Sequence, residues 1–235
     1  MNPVAAQTRL AGVLYAVVIA TGLFSLAYVP AQVPLGDAAS AQELLARVRA
    51  GETLLRWGVA ADLVQQVAYA LLALALARRL RDAGPELARV MVVLVVVGVP
   101  MALLSLTGRL ELLALAQPGG MGLSPDAQAG AVASAWRTAR AGMQVVQLFW
   151  GLWLAPLAVL LWRTRAVPRV LALCLALGCA GYVLRVFVGV LAPQSIDLVT
   201  GWATLLPASV GEIGTGLWLL LAPVSRRGGR SGVSF

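Results

Sequence analysis

Two carboxylates stand where hydrocarbon is expected. Asp62 lies in "LLRWGVAADLVQQVAYALLALALARRLR", and Glu212 near the middle of "LLPASVGEIGTGLWLLLAP". A charged side chain at the centre of a bilayer costs at least ~2.5 kcal/mol, so it faces a partner, a cavity or a proton path. A carboxyl held away from water can keep its proton at neutral pH and deliver it to an alkene or epoxide. Aromatic rings nearby can then stabilise the resulting cation. Asp62 and Glu212 are therefore the candidate catalytic residues.

Other polar residues share these spans. Asp62, Gln65, Gln66 and Tyr69 follow the i, i+3, i+4, i+7 spacing that makes one helix face. Arg140, Gln144 and Gln147 form a second face, and Arg185 lies in a later span. Gln65, Gln66, Tyr69, Gln144 and Gln147 are candidate substrate contacts, and Arg185 is suited to a polar head group. Trp150, Trp153 and Trp218 lie deep enough to wall an apolar pocket, whereas Trp57, Trp136, Trp162 and Trp202 fall near span ends, where aromatic belts form. The competing reading is structural: Asp62–Arg185 or Glu212–Arg185 as ion pairs fixing helix packing, with glutamines bonding across helices. Arg109 and Glu111 read as interfacial.

These residues are exceptions in an apolar chain. Of 235 residues, 60% are hydrophobic and 12% charged, at a mean hydropathy of +0.86. Soluble domains carry roughly 25% charged residues, so this is an integral membrane protein. Its apolar runs reach ~20 residues, too long for barrel strands, and must be helices. The expected fold is an all-α integral membrane protein, a single compact domain of six transmembrane helices. The spans fall at about 10–29, 54–77, 89–113, 142–162, 170–191 and 202–222. Pro100 and Pro156 lie inside spans and predict kinks.

All 18 basic residues are arginine, and there is no histidine, the commonest metal ligand. Cys174 and Cys179 lie five apart in one apolar run and read as small buried hydrophobes. No metal or cofactor is expected. The net charge of +8 does not indicate nucleic acid, because the arginines crowd short loops beside spans. Arg78, Arg79, Arg81 and Arg89 mark one connection, Arg163, Arg165 and Arg169 another, and Arg226, Arg227 and Arg230 the tail. Asp37, Glu43, Glu52, Asp126 and Asp197 fall on the opposite side, which predicts cytoplasmic termini. On that side "AQELLARVRAGE" predicts an amphipathic interfacial helix, and "AVASAWRTARAG" an outward extension of the fourth span. The polar residues gather in the external half. This predicts an outward-facing cavity with Glu212 at its floor, shared with Asp62.

Four segments carry a resemblance: "RLAGVLYAVVIATGLF", "LLRWGVAADLVQQVAYALLALALARRLR", "FWGLWLAPLAVLLWRTRAVPRVLALCLALGCAGYVLRVF" and "PASVGEIGTGLWLLL". In type and order the chain resembles the bacterial multi-pass family catalogued as domain of unknown function 4386. The resemblance implies a helical bundle in the bacterial inner membrane and no established activity. Asp62 and Glu212 match family positions. Trp153 and Arg185 depart from it, standing where relatives often have histidine and aspartate, which makes the pocket more aromatic and changes its charge.

Three functions are compatible with this inventory. The first is a membrane enzyme acting on a hydrophobic, lipid-like molecule, with acid-initiated isoprenoid (terpene) cyclisation as the reaction that needs only these groups. The second is a small transporter or proton-coupled exporter, opposed by the lack of an internal repeat. The third is a non-catalytic lipid-binding or assembly subunit. The partners expected are a lipid-like small molecule and membrane lipids, and the sequence specifies no oligomeric state.

Overall fold

Helices account for every described element of the computed structural model, which describes residues 3–119, 122–199 and 202–221, with side chains over 7–119, 122–196, 199 and 206–221. Arg226, Arg227, Arg230 and the side chains of Asp197 and Trp202 lie outside the described residues. The longer helices are α1 (Pro3–Leu23), α2 (Ala41–Ala50), α3 (Glu52–Leu80), α4 (Pro85–Leu115), α5 (Pro125–Leu152), α6 (Leu154–Thr164), α7 (Arg169–Leu191) and α8 (Trp202–Leu221). Five stretches, at 7–37, 52–83, 85–115, 125–164 and 169–191, are long and apolar enough to cross a membrane; the described apolar part of α8, Leu206–Leu221, is shorter. The chain is an all-α membrane bundle of about six helices.

The helices close into a ring. α1 packs on α3, α3 on α4, α4 on α5, α5 and α6 on α7, α7 on α8, and α8 back on α1. Small residues permit the closest crossings, as is common where lipid removes any hydrophobic drive between helices. A Cβ placed on Gly178 of α7 would lie 2.7 Å from the Ala208 Cα of α8, and one on Gly12 of α1 would lie 2.7 Å from the Leu220 Cα.

The fourth rod is broken in the middle. Pro156 has no N–H for the helix ladder, and the turn at Trp153 separates α5 from α6. Beyond the break α6 buries Leu154, Leu157, Ala158, Leu160 and Leu161, filling the half of the bundle that ends in the Arg78–Arg89 and Arg163–Arg169 connections. Arg165, in the left-handed region at φ 50°, ends α6. Pro100, in contrast, stays within the continuous helix α4.

At the other end α2 forms a cap. Leu44, Leu45 and Val48 pack with Val59 of α3, Leu112 and Leu113 of α4, and Val132 of α5. Arg49 donates to the Ala116 carbonyl at 2.8 Å and to Gln128 Oε1 at 3.0 Å, while Gln128 Nε2 donates to the Leu115 carbonyl at 2.7 Å. α5 begins at Pro125, so the outward extension of the fourth span is longer than "AVASAWRTARAG".

Candidate functional site

The polar face of α3 is buried: Asp62, Gln65, Gln66 and Tyr69 are each less than a tenth exposed. The face nevertheless divides between two environments. Asp62 pairs with Arg109 of α4, whose Nη1 donates to Asp62 Oδ2 at 2.6 Å. The expected pairing of Asp62 with Arg185 does not form, because α4, not α7, is the ring neighbour of α3. Ser25 of the first rod is buried with its side chain beside the Asp62 carboxylate.

Glu212 faces a different space. A cavity of about 390 Å³ is lined by Gln65, Tyr69, Trp150, Trp153, Tyr182 and Glu212, with Val18, Ile19, Gly22, Leu23, Leu26 and Ala27 of the first rod. Asp62 does not line it, so the single cavity expected for both acids is replaced by a Glu212 cavity and a separate ion pair. No salt bridge joins Glu212 to an arginine among the described residues. Three phenols, Tyr15, Tyr69 and Tyr182, lie within electrostatic reach of its carboxylate.

The floor of this cavity is aromatic. Trp153, at the α5–α6 break, meets Tyr69 edge-on at a centroid distance of 5.0 Å and Tyr15 at 6.3 Å. Tyr15 Oη, Tyr69 Oη and Gln65 Oε1 are buried without a hydrogen-bond partner. Buried polar atoms normally have one, and an orphan requires a reason. Two of these three, Tyr69 and Gln65, line the same cavity as Glu212. The mouth is identifiable too: Leu23, Leu26, Ala27 and Ser209 line the cavity and are exposed, so it opens between α1 and α8. At that mouth the first rod loosens into a π-helical turn, Phe24–Tyr28, a geometry frequent at functional sites.

A second cavity of about 490 Å³ lies toward the α2 end. Arg109, Trp136, Arg137, Arg140, Gln144, Gln147 and Arg185 line it. The Arg140 guanidinium sits 6.0 Å from the Trp136 ring centroid. A third, of about 400 Å³, lies under the Pro34–Asp37 segment, with Ser25, Arg109, Trp136 and Arg140 in its wall.

Of the residues singled out in the sequence, Gln65, Tyr69, Trp150, Trp153 and Glu212 come together, and Gln144, Gln147 and Arg185 meet in the second cavity. Gln66 is buried in neither, its Oε1 unpartnered. Trp218 is remote: exposed, it donates from Nε1 to the Ala166 carbonyl at 3.1 Å, in the α6–α7 connection. Sequence reasoning missed Tyr182, which lines the Glu212 cavity, and Arg109 as the partner of Asp62. It also missed Arg137, although positions 137, 140, 144 and 147 continue one helix stripe and carried the signal.

Among the described residues no group of His, Cys, Asp or Glu could hold a metal ion. No curated protein and no solved structure matches the chain. The model of the domain of unknown function DUF4386 matches residues 10–222, nearly the whole chain, and the protein belongs to that family.

Proposed function

We propose that the chain is a membrane-embedded enzyme performing acid–base chemistry on a hydrophobic, lipid-like substrate, with Glu212 as the proton donor and acid-initiated isoprenoid cyclisation as the reaction class. One observation carries this reading: a carboxyl with no cationic partner among the described residues faces Tyr69, Trp150, Trp153 and Tyr182 across a cavity of about 390 Å³. Ligand cavities run from roughly 300 to 1,000 Å³.

The chemistry balances with one acid. Protonated Glu212 gives its proton to an alkene carbon, forming a C–H bond and leaving a carbocation on the neighbouring carbon. A second alkene in the same molecule donates its π electrons to that cation and closes a C–C bond. The final cation loses a proton from an adjacent carbon to the Glu212 carboxylate, which restores an alkene and the acid. Aromatic faces stabilise the cation while water is excluded. The product is an isomer of the substrate, and no co-reactant is consumed. Asp62, held by Arg109, positions the α3 face rather than supplying a second proton.

Transport finds less support, because α6 fills the centre of one half of the bundle. The family resemblance and the arginine-rich connections favour the bacterial inner membrane as the location.

The test compares mass spectra of lipid extracts from cells making wild type and Glu212→Gln at matched levels. The expected outcome is a compound present only with wild type, isomeric with one that accumulates in the variant. Identical extracts, with one ligand co-purifying with both proteins, would replace catalysis by binding.

A further inference from the structure

The second cavity carries an excess of positive charge. Arg109, Arg137, Arg140 and Arg185 line it, with no carboxylate among the described residues. Arg109 is committed to Asp62, but Arg137, Arg140 and Arg185 make no salt bridge with a described carboxylate. Asp37 shares the neighbouring cavity with Arg140, yet no salt bridge joins them. Arg185 is half-buried, where an uncompensated cation is costly, and Arg137 and Arg140 are exposed beside it. Guanidinium forks match the oxygens of phosphate, and three of them call for more negative charge than one carboxylate brings.

Two helices join this cavity to the Glu212 cavity. On α5, Gln147 lines the first and Trp150 the second; on α7, Arg185 lines the first and Tyr182 the second. Each step is three residues, about 4.5 Å along the axis. The two cavities are therefore neighbours along both helices.

The geometry points to a phosphate-headed amphiphile as the ligand, its head on Arg137, Arg140 and Arg185 and its chain in the Glu212 cavity. The chain half rests on the proposed reading of that cavity; the head site does not. Phosphate could come from a small isoprenoid phosphate or from a membrane phospholipid, and the inference commits to the former.

The experiment titrates farnesyl monophosphate and farnesol into purified protein in phosphatidylcholine nanodiscs, following intrinsic tryptophan fluorescence. Farnesyl monophosphate is expected to bind at least about tenfold more tightly than farnesol. Arg185→Gln, and separately Arg137→Gln with Arg140→Gln at the exposed positions, should each erase about tenfold of that affinity. The exposed double variant keeps the test decisive if Arg185→Gln does not fold. Equal binding of the two probes, or indifference to both arginine changes, would overturn the head site. Competition by phosphatidylglycerol in the nanodisc would assign the site to bulk phospholipid and overturn the substrate claim. Arginine-dependent binding combined with unchanged extracts for Glu212→Gln would sink the catalytic reading while leaving the head site intact.

Discussion

At the residue scale the two acids do different work. Asp62 is buried against Arg109 at 2.6 Å, so removing either partner strands the other. Breaking a buried pair typically costs about 3–5 kcal/mol, whereas neutralising both groups is far milder. Asp62→Asn and Arg109→Gln should therefore each lower the thermal midpoint in detergent, and the double variant should recover most of the loss. If the double variant is as unstable as the sum of the singles, the pair is not what holds α3 to α4. Glu212→Gln is expected to leave the midpoint nearly unchanged, since no described cation depends on it. The sequence showed both acids because each interrupts an apolar run. It could not show which cation Asp62 meets, because Arg109 lies 47 positions away and pairing follows from the order of helices around the ring. The same ignorance hid Tyr182, which is unremarkable until α7 is seen facing α8.

At the element scale, helices declared themselves and their interruptions did not. The ~20-residue apolar runs and the alternation of α2 were readable. The π turn at Phe24–Tyr28 has no proline or charge to announce it, and it is what lies at the cavity mouth. α2 itself is held by local bonds that titrate. Ser40 Oγ accepts the Glu43 amide at 3.1 Å, and the Ala39 amide donates to Glu43 Oε2 at 2.9 Å. The Ala39 amide first, and then Arg47, hold the Glu43 carboxyl below its ordinary value of 4.5. A depressed folded value means that this contribution is present above the unfolded value and disappears as pH falls through the folded one. Amide resonances of Ala39 and Glu43 should thus titrate with a midpoint below 4.5, and Glu43→Gln should abolish that transition. A midpoint above 4.5 would contradict the cap. Between spans, Gly178 sets the α7–α8 distance: with the Ala208 Cα 2.7 Å from a would-be Cβ, Gly178→Val must push the helices apart. Overpacking of this kind typically costs about 1–3 kcal/mol. A matching fall in thermal midpoint is expected, with partial rescue by Ala208→Gly, whose missing methyl would lie 2.9 Å from the same Cβ.

For the whole molecule, the sequence's division into a polar and an apolar half survives as architecture. The α2 end holds the arginine cavity, and the opposite end is closed by α6 and rimmed by arginine-rich connections. Charge predicts which end faces the cytoplasm: Arg78, Arg79, Arg81 and Arg89 in one short connection, with Arg163, Arg165 and Arg169 in the other, are expected to keep their end inside. A phosphate-headed ligand would then meet its arginines near the external interface, and a ligand arriving from the lipid would enter between α1 and α8. Single cysteines test the arrangement in a background where Cys174 and Cys179 are replaced by alanine. Arg137→Cys, on the exposed face of α5, should react with a membrane-impermeant maleimide in intact spheroplasts. Arg165→Cys, in the α6–α7 connection, should react only after the membrane is opened. The reverse pattern would turn the arginine cavity to the cytoplasm, where soluble isoprenoid phosphates could reach it directly. Labelling of both sites from outside would put positions 137 and 165 on one side, which a broken helix crossing once between them does not allow.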